Sequence, residues 1–170
     1  MPRVPRLTGA GGGALSFWGS MLKRRIEVGV LYSRSGNYRL VSEACREGAM
    51  RGIECEFYPG GHEEVAKRIK PNTRMVYLDN PGSIVFDVQD VPALAKVCKG
   101  RGNDILIAVD NTWGAPGMYR PLTLGADISI IAITKYIAGH SDLLMGSVTG
   151  NERCADLLYK MAGLLGQNVA

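Results

Sequence analysis

From Val28 onward, short apolar runs alternate with stretches of helical spacing, and that alternation leaves few architectures open. "VGVLYS", "IECEFYP", "TRMVYLDN", "DILIAVDN" and "GADISIIAIT" read as strands. "YRLVSEACREGAMRG", "HEEVAKRIK" and "VQDVPALAKVCKGRG" carry apolar residues near helical spacing between them, and "NERCADLLYKMAGLL" follows the last strand. The helix boundaries are also written in residue types. Gly52 closes the first, Pro71 stops the second, Asp90 caps the third with Pro92 in its first turn, and Asn151 caps the fourth. Strands alternating with helices dictate an α/β fold, a mainly parallel sheet flanked by helices. The 170 residues suffice for one sizeable domain.

Residues 1–27 break the pattern. "MPRVPRLTGAGGGALSFWGS" has proline, arginine and a glycine cluster but little periodicity, so an irregular or poorly ordered start is expected. The net charge of +4 is mild and its one basic run, Lys23, Arg24 and Arg25, has no aromatic interleaving, so a nucleic-acid partner is not expected. No apolar segment reaches the length of a membrane span. Cys45, Cys55, Cys98 and Cys154 are widely spaced without a C-x-x-C, and read as reduced thiols of a cytoplasmic protein.

Three of the strand candidates end in distinctive polar groups: Asp79-Asn80-Pro81, Asp110-Asn111-Thr112-Trp113 and Thr134-Lys135. In a parallel sheet such ends share one edge, where ligands bind. Ile128, Ile130, Ile131 and Ile133 suggest a strand covered on both faces, with Lys135 emerging at its carboxyl end. A poorly solvated lysine there is a nucleophile towards carbonyl groups. Two readings of the carboxylate and the lysine stand at this level. They form an ion pair, as buried charges usually do, or they hold pyridoxal phosphate, whose ring nitrogen pairs with a carboxylate and whose aldehyde takes a lysine. His140 has no partner at metal-ligand spacing, so no metal is expected. Gly139 and Gly146 read as turn positions.

"VDNTW", "LGADISI", "TKYIAGHSDLLMGS", "LDNPGS" and "VQDVPAL" together resemble the cysteine/methionine-metabolism enzymes that use pyridoxal phosphate, over about Tyr38 to Val169. The "DNTW" and "NPGS" forms look like the cystathionine β-lyase branch. The resemblance implies part of the large domain of a fold-type I pyridoxal-phosphate enzyme, residues 28–170. It implies a thioether amino acid as substrate, β-elimination to homocysteine, pyruvate and ammonia, pyridoxal 5'-phosphate as cofactor, and a homo-oligomer in complete members. Carried over by residue, Lys135 holds the cofactor and shuttles the α-proton, and Asp110 pairs with the ring nitrogen. Tyr38 stacks on the ring and Thr134 touches the phosphate. Asn80 helps hold the substrate carboxylate, and Trp113 shapes the substrate pocket. His140, Ser141 and Asp142 belong to a signature near the cofactor; read on their own, they make a hydrogen-bonded loop holding Lys135 in place.

The chain also departs from that pattern. Asp79 replaces a usual glutamate, and Ala132 stands where many relatives have a phosphate-binding serine. An N-terminal Tyr-x-Arg segment reaching a neighbouring subunit is not found, and "SFWGSM" is the one candidate remnant of a glycine-led phosphate loop. The C-terminal domain, with an arginine clamp for the substrate carboxylate, is expected to be missing beyond Ala170. The alternative to a lyase is therefore a non-catalytic fragment or pseudoenzyme of the same family.

Overall fold

The structure, a computed structural model, describes residues 26–31, 53–58, 60–83, 86–101, 104–115 and 117–166. Tyr38 and the helix expected over 38–52 lie outside the described residues. The strands are β1 (Ile26–Leu31), β2 (Ile53–Tyr58), β3 (Thr73–Asp79), β4 (Leu106–Asp110), β5 (Ile128–Ala132) and β6 (Gly146–Gly150). The helices are α1 (His62–Arg68), α2 (Val91–Gly100) and α3 (Glu152–Leu165). The strands form one sheet in the order β2-β1-β3-β4-β5-β6. All pairings from β2 to β5 are parallel, and β6 runs antiparallel to β5. The expected mainly parallel α/β sheet is present. Its first strand begins at Ile26, two residues inside the segment read as irregular, with Ile26 paired to Ile53.

Strand alternation sorts the core into two layers. Val76 and Leu78 of β3 and Ile107 and Val109 of β4 pack with Val65 of α1 and with Val91, Leu94, Ala95 and Cys98 of α2. Met75, Tyr77, Leu106, Ala108, Ile128 and Ile130 face the other way, towards Cys154 and Leu158 of α3. The enclosure of β5 is less than its isoleucines suggest. Ile128 is buried, but Ile130, Ile131 and Ile133 are half-buried, because the neighbour on that side is the exposed strand β6. Gly146, read as a turn residue, opens β6 opposite Ala132.

The helix ends follow sequence chemistry in one case and not in another. Asp90 caps α2, its carboxylate accepting the Ala93 N–H at 2.9 Å, with Pro92 in the first turn. Such a cap stabilises a helix by about 1 kcal/mol. Asn151 occupies the N-cap position of α3 but makes no side-chain cap bond. Its amide donates instead to Asp127 Oδ1 at 2.9 Å. Asp127 is buried, and its Oδ2 accepts the Ile107 N–H at 2.9 Å. Arg153 pairs with Oδ1 at 3.4 Å and also with Asp104. One carboxylate thus joins the starts of β4, β5 and α3, and by holding the asparagine Nδ2 it fixes the amide with its Oδ1 off the helix N–H groups.

A 3-10 turn at Pro121–Leu124 leads into β5 and ends at Gly125, whose φ is +107°. A Cβ there would also meet the Ala95 Cβ at 2.8 Å, so Gly125 serves both the turn and the approach of α2. Among the described residues, no helix is long and apolar enough to cross a membrane.

Candidate active site at the carboxyl edge of the sheet

Register brings the three polar strand ends together. Asp79 pairs with Asp110 across β3 and β4, and Asp110 with Ile130 across β4 and β5. The ladder continues one step further. The Asn80 N–H donates to the Asp110 carbonyl at 3.2 Å, and the Asn111 N–H to the Ile130 carbonyl at 2.7 Å. Beyond Ala132 the chain leaves the sheet in a helical turn. Lys135 N–H donates to the Ala132 carbonyl at 3.1 Å, Ala138 N–H to Ile133 at 2.9 Å and Gly139 N–H to Lys135 at 2.9 Å. Gly139 closes it with φ +68°. The backbone of Lys135 is therefore fixed to the end of β5, next to the strand that ends in Asp110.

The Asp110 carboxylate is held by its own strand end. Its Oδ1 accepts the Thr112 hydroxyl at 2.6 Å and the Thr112 N–H at 3.0 Å. The same hydroxyl accepts the Ala132 N–H at 2.9 Å. A relay thus runs from the last residue of β5 through Thr112 to Asp110. Asp110 Oδ2 meets the Tyr77 hydroxyl at 3.5 Å. Sequence reasoning singled out neither Thr112 nor Tyr77. The signal for Thr112 was a hydroxyl two residues past a strand-end carboxylate, the spacing of a local side-chain-to-backbone turn.

The remaining site residues lie on the same edge, and several make bonds within the chain. Asn80 is fully buried, and its side chain is used internally. Its Oδ1 accepts the Gln89 N–H at 2.8 Å, while Nδ2 donates to the Gln89 carbonyl at 3.3 Å and the Tyr119 hydroxyl at 3.0 Å. Asn80 holds the loop after β3, and its side chain does not face solvent. Burial pushes the Tyr119 phenol up, against the opposing pull of Asn80. The Thr134 hydroxyl is likewise engaged, accepting the Met145 N–H at 2.8 Å and lying 3.1 Å from the Met145 carbonyl. It closes the loop carrying Lys135 where a phosphate contact was expected.

His140, Ser141 and Asp142 are exposed on that loop, and His140 Nδ1 lies 2.5 Å from the Ala138 carbonyl. Trp113 is half exposed, with Phe86 at 4.8 Å and Tyr136 at 6.1 Å between ring centroids. Lys135 itself is exposed, and not in the poorly solvated crevice that its place after an apolar run suggested. The physical reason is the turn, which carries the chain off the sheet within three residues of Ala132. Pyridoxal phosphate needs an accessible primary amine and a fixed carboxylate on one edge. Lys135 and the Thr112-anchored Asp110 meet that requirement.

The sequence model of the family described as Cys/Met metabolism PLP-dependent enzyme matches residues 26–170. The chain is 43% identical over 120 residues to a cystathionine beta-lyase of Bordetella avium, covering 70% of this chain and 30% of that protein. It is 35% identical over 131 residues to an L-alanine/L-glutamate racemase of Wolbachia pipientis, covering 77% of this chain and 32% of the other. The crystal structure of metB from Corynebacterium glutamicum superposes with a TM-score of 0.69 at 29% identity, over 90% of this chain and 40% of that one. The chain spans about three tenths of the length of the curated relatives it matches. A lysine and an anchored carboxylate on one edge of a mainly parallel sheet, with a family match over most of the sequence, place this chain in the Cys/Met-metabolism family of pyridoxal-phosphate-dependent enzymes.

Proposed function

We propose that this chain is the cofactor-bearing part of a carbon–sulfur lyase of the cystathionine β-lyase type, acting on a thioether amino acid. The observation that carries the reading is the placing of Asp110 at the end of β4 and of Lys135 just past the end of its partner strand β5. Bound there, pyridoxal 5'-phosphate supplies a sink for the electron pair left at the substrate Cα. Asp110 holds a proton at the ring nitrogen, and Thr112 keeps the carboxylate turned to the task. Lys135 Nζ attaches the cofactor, takes the Cα proton and returns a proton to the departing sulfur. Trp113 forms a wall of the substrate space. Tyr38 is assigned the ring-stacking face. Homocysteine leaves, and water hydrolyses the remaining three-carbon enamine to pyruvate and ammonia. The substrate carboxylate clamp and a phosphate contact from a second copy are assigned to chain beyond these residues, in a homo-oligomer of the complete protein.

A racemase reading shares the first step, removal of the Cα proton, and the Wolbachia relative favours it. A third reading is a non-catalytic fragment or pseudoenzyme of the family. The experiment is borohydride reduction of the chain incubated with pyridoxal phosphate, followed by peptide mapping. Label confined to Lys135, absent in Lys135→Ala, is the expected result. Label spread over Lys67, Lys96 and Lys160, all on exposed positions, would refute the site. Pyruvate release from cystathionine and alanine racemisation on the same preparation separate the two activities. The 170-residue chain alone is expected to release little pyruvate. Misplacement of about 1 Å already costs on the order of a hundred-fold, and robust saturable turnover would contradict the assignment of the clamp to other chain.

A further inference from the structure

Three aromatic rings stand exposed at the same edge, each from a different strand-end segment. Phe86 is 52% exposed, Trp113 41% and Tyr136 53%. Phe86 meets Trp113 edge to face, with centroids 4.8 Å apart and planes at 84°. Tyr136 continues the row, 6.1 Å from Trp113 at 57°. Large apolar groups gathered in the open mark contact surfaces rather than core. The row also runs directly into the site. Tyr136 follows Lys135 in sequence, and Trp113 follows Thr112, the residue that fixes Asp110.

The backbone sets Phe86 in this row under strain. Its φ is +56°, a conformation that side chains with a Cβ rarely adopt. Two backbone hydrogen bonds impose it, Phe86 N–H to the Gly82 carbonyl at 3.0 Å and Gly82 N–H to the Asp87 carbonyl at 2.8 Å. Such outliers gather where a side chain is being aimed at a ligand. The ring stays half exposed and lies outside the core clusters, so packing against the core does not explain it.

We propose that Phe86, Trp113 and Tyr136 form a subsite for the thioether segment of the substrate side chain, with Phe86 setting specificity for that segment. The subsite rests on the reading of Lys135 and Asp110 as the reaction centre. A substrate whose amino group is directed to Lys135 lays its side chain along the row. A thioether suits such a wall, since divalent sulfur packs favourably at about 5 Å from an aromatic ring edge. An arm of one methyl group does not reach it.

Trp113 is also a reporter, and Trp18→Phe removes the other tryptophan. The full chain in that background, with pyridoxal phosphate, is titrated with L-methionine, L-norleucine and L-alanine while Trp113 emission is followed. Methionine is expected to change the emission saturably, norleucine about twofold more weakly, and alanine at least tenfold more weakly. Phe86→Ala should weaken methionine about fivefold and leave alanine within twofold. Alanine bears the same Cβ penalty at φ +56°, so this variant tests the ring and not the turn. Phe86→Tyr should bind methionine like the parent, and Phe86→Leu should fall with Phe86→Ala.

Equal weakening of methionine and alanine by Phe86→Ala would overturn the subsite. The Lys135-dependent visible absorbance is scored on the same samples. Absorbance without a methionine-specific emission change overturns the subsite and leaves the lyase reading standing. The emission change without absorbance means methionine binds the row apart from any reaction centre, and overturns both the lyase reading and the subsite as a site for the substrate side chain. Loss of both overturns both.

Discussion

Replacing Thr112 by valine removes one hydroxyl and keeps the branched shape. The structure gives that hydroxyl two bonds, donating to Asp110 Oδ1 at 2.6 Å and accepting the Ala132 N–H at 2.9 Å. A hydrogen bond to a charged group contributes about 1.5–3 kcal/mol, and a poorly hydrated N–H left without a partner costs about 1–3 kcal/mol. Thr112 is buried, but Asp110 and Ala132 are only partly so, which puts both figures at their lower ends. The Thr112 N–H still holds Asp110 Oδ1 at 3.0 Å and offsets part of the loss. Thr112→Val is therefore expected to destabilise the fold by about 2–3 kcal/mol, a large share of the ~5–15 kcal/mol typical of a domain. Urea unfolding followed by circular dichroism measures it, with the midpoint shifted and the slope unchanged. Thr112→Ser restores both bonds and should recover all but about 1 kcal/mol. A valine variant within about 0.5 kcal/mol of the parent would show that the relay from β5 to Asp110 does not bear on stability. The account of how that carboxylate is held would then be wrong.

Two further outcomes follow from the same structure. Asp110→Asn in a complete form of the enzyme should lower turnover on the order of a hundred- to a thousand-fold, since an amide cannot hold the ring nitrogen protonated, and near-normal turnover refutes its role. Burial first, and the negative charge of Asp127 second, push the Cys98 thiol from 9.0 up to about 11. The folded value lies above the unfolded one, so the stability from the neutral thiol is complete below about pH 9 and is lost as pH rises towards 11. Unfolding midpoints across that window should fall with pH, and Cys98→Ala should flatten the decline.

The strand–helix alternation was legible because each element buries its own repeating face. β3, β4, β5 and α2 all sit where apolar spacing and the Asp90 cap put them. β6 was not legible, since "GSVTG" has too few apolar residues to signal a strand, and its pairing with β5 decides its state. The candidate site was legible in its positions and less so in its bonds. Lys135 and Asp110 were found as polar groups closing apolar runs. The side chains of Asn80, Thr134 and Asn151 were each expected to serve a ligand or a cap, and each is engaged elsewhere. Their partners, Gln89 and Tyr119, Met145, and Asp127, lie at least nine residues away in the chain, where no local pattern points to them.

The closure at Thr134 and Met145 has a consequence for how much change this loop can absorb. The Thr134 N–H bonds to the Met145 carbonyl at 3.1 Å, and the hydroxyl meets the Met145 N–H, so the excursion from Lys135 to Leu144 is clasped at its neck. Past such a clasp, lengthening a loop is cheap, about 0.6 kcal/mol for each doubling. Residues added to this chain between Gly139 and Leu144 are therefore expected to cost the fold little. The lysine is the first residue past the clasp, its N–H bonded to the Ala132 carbonyl, and is held there while the far end of the loop changes.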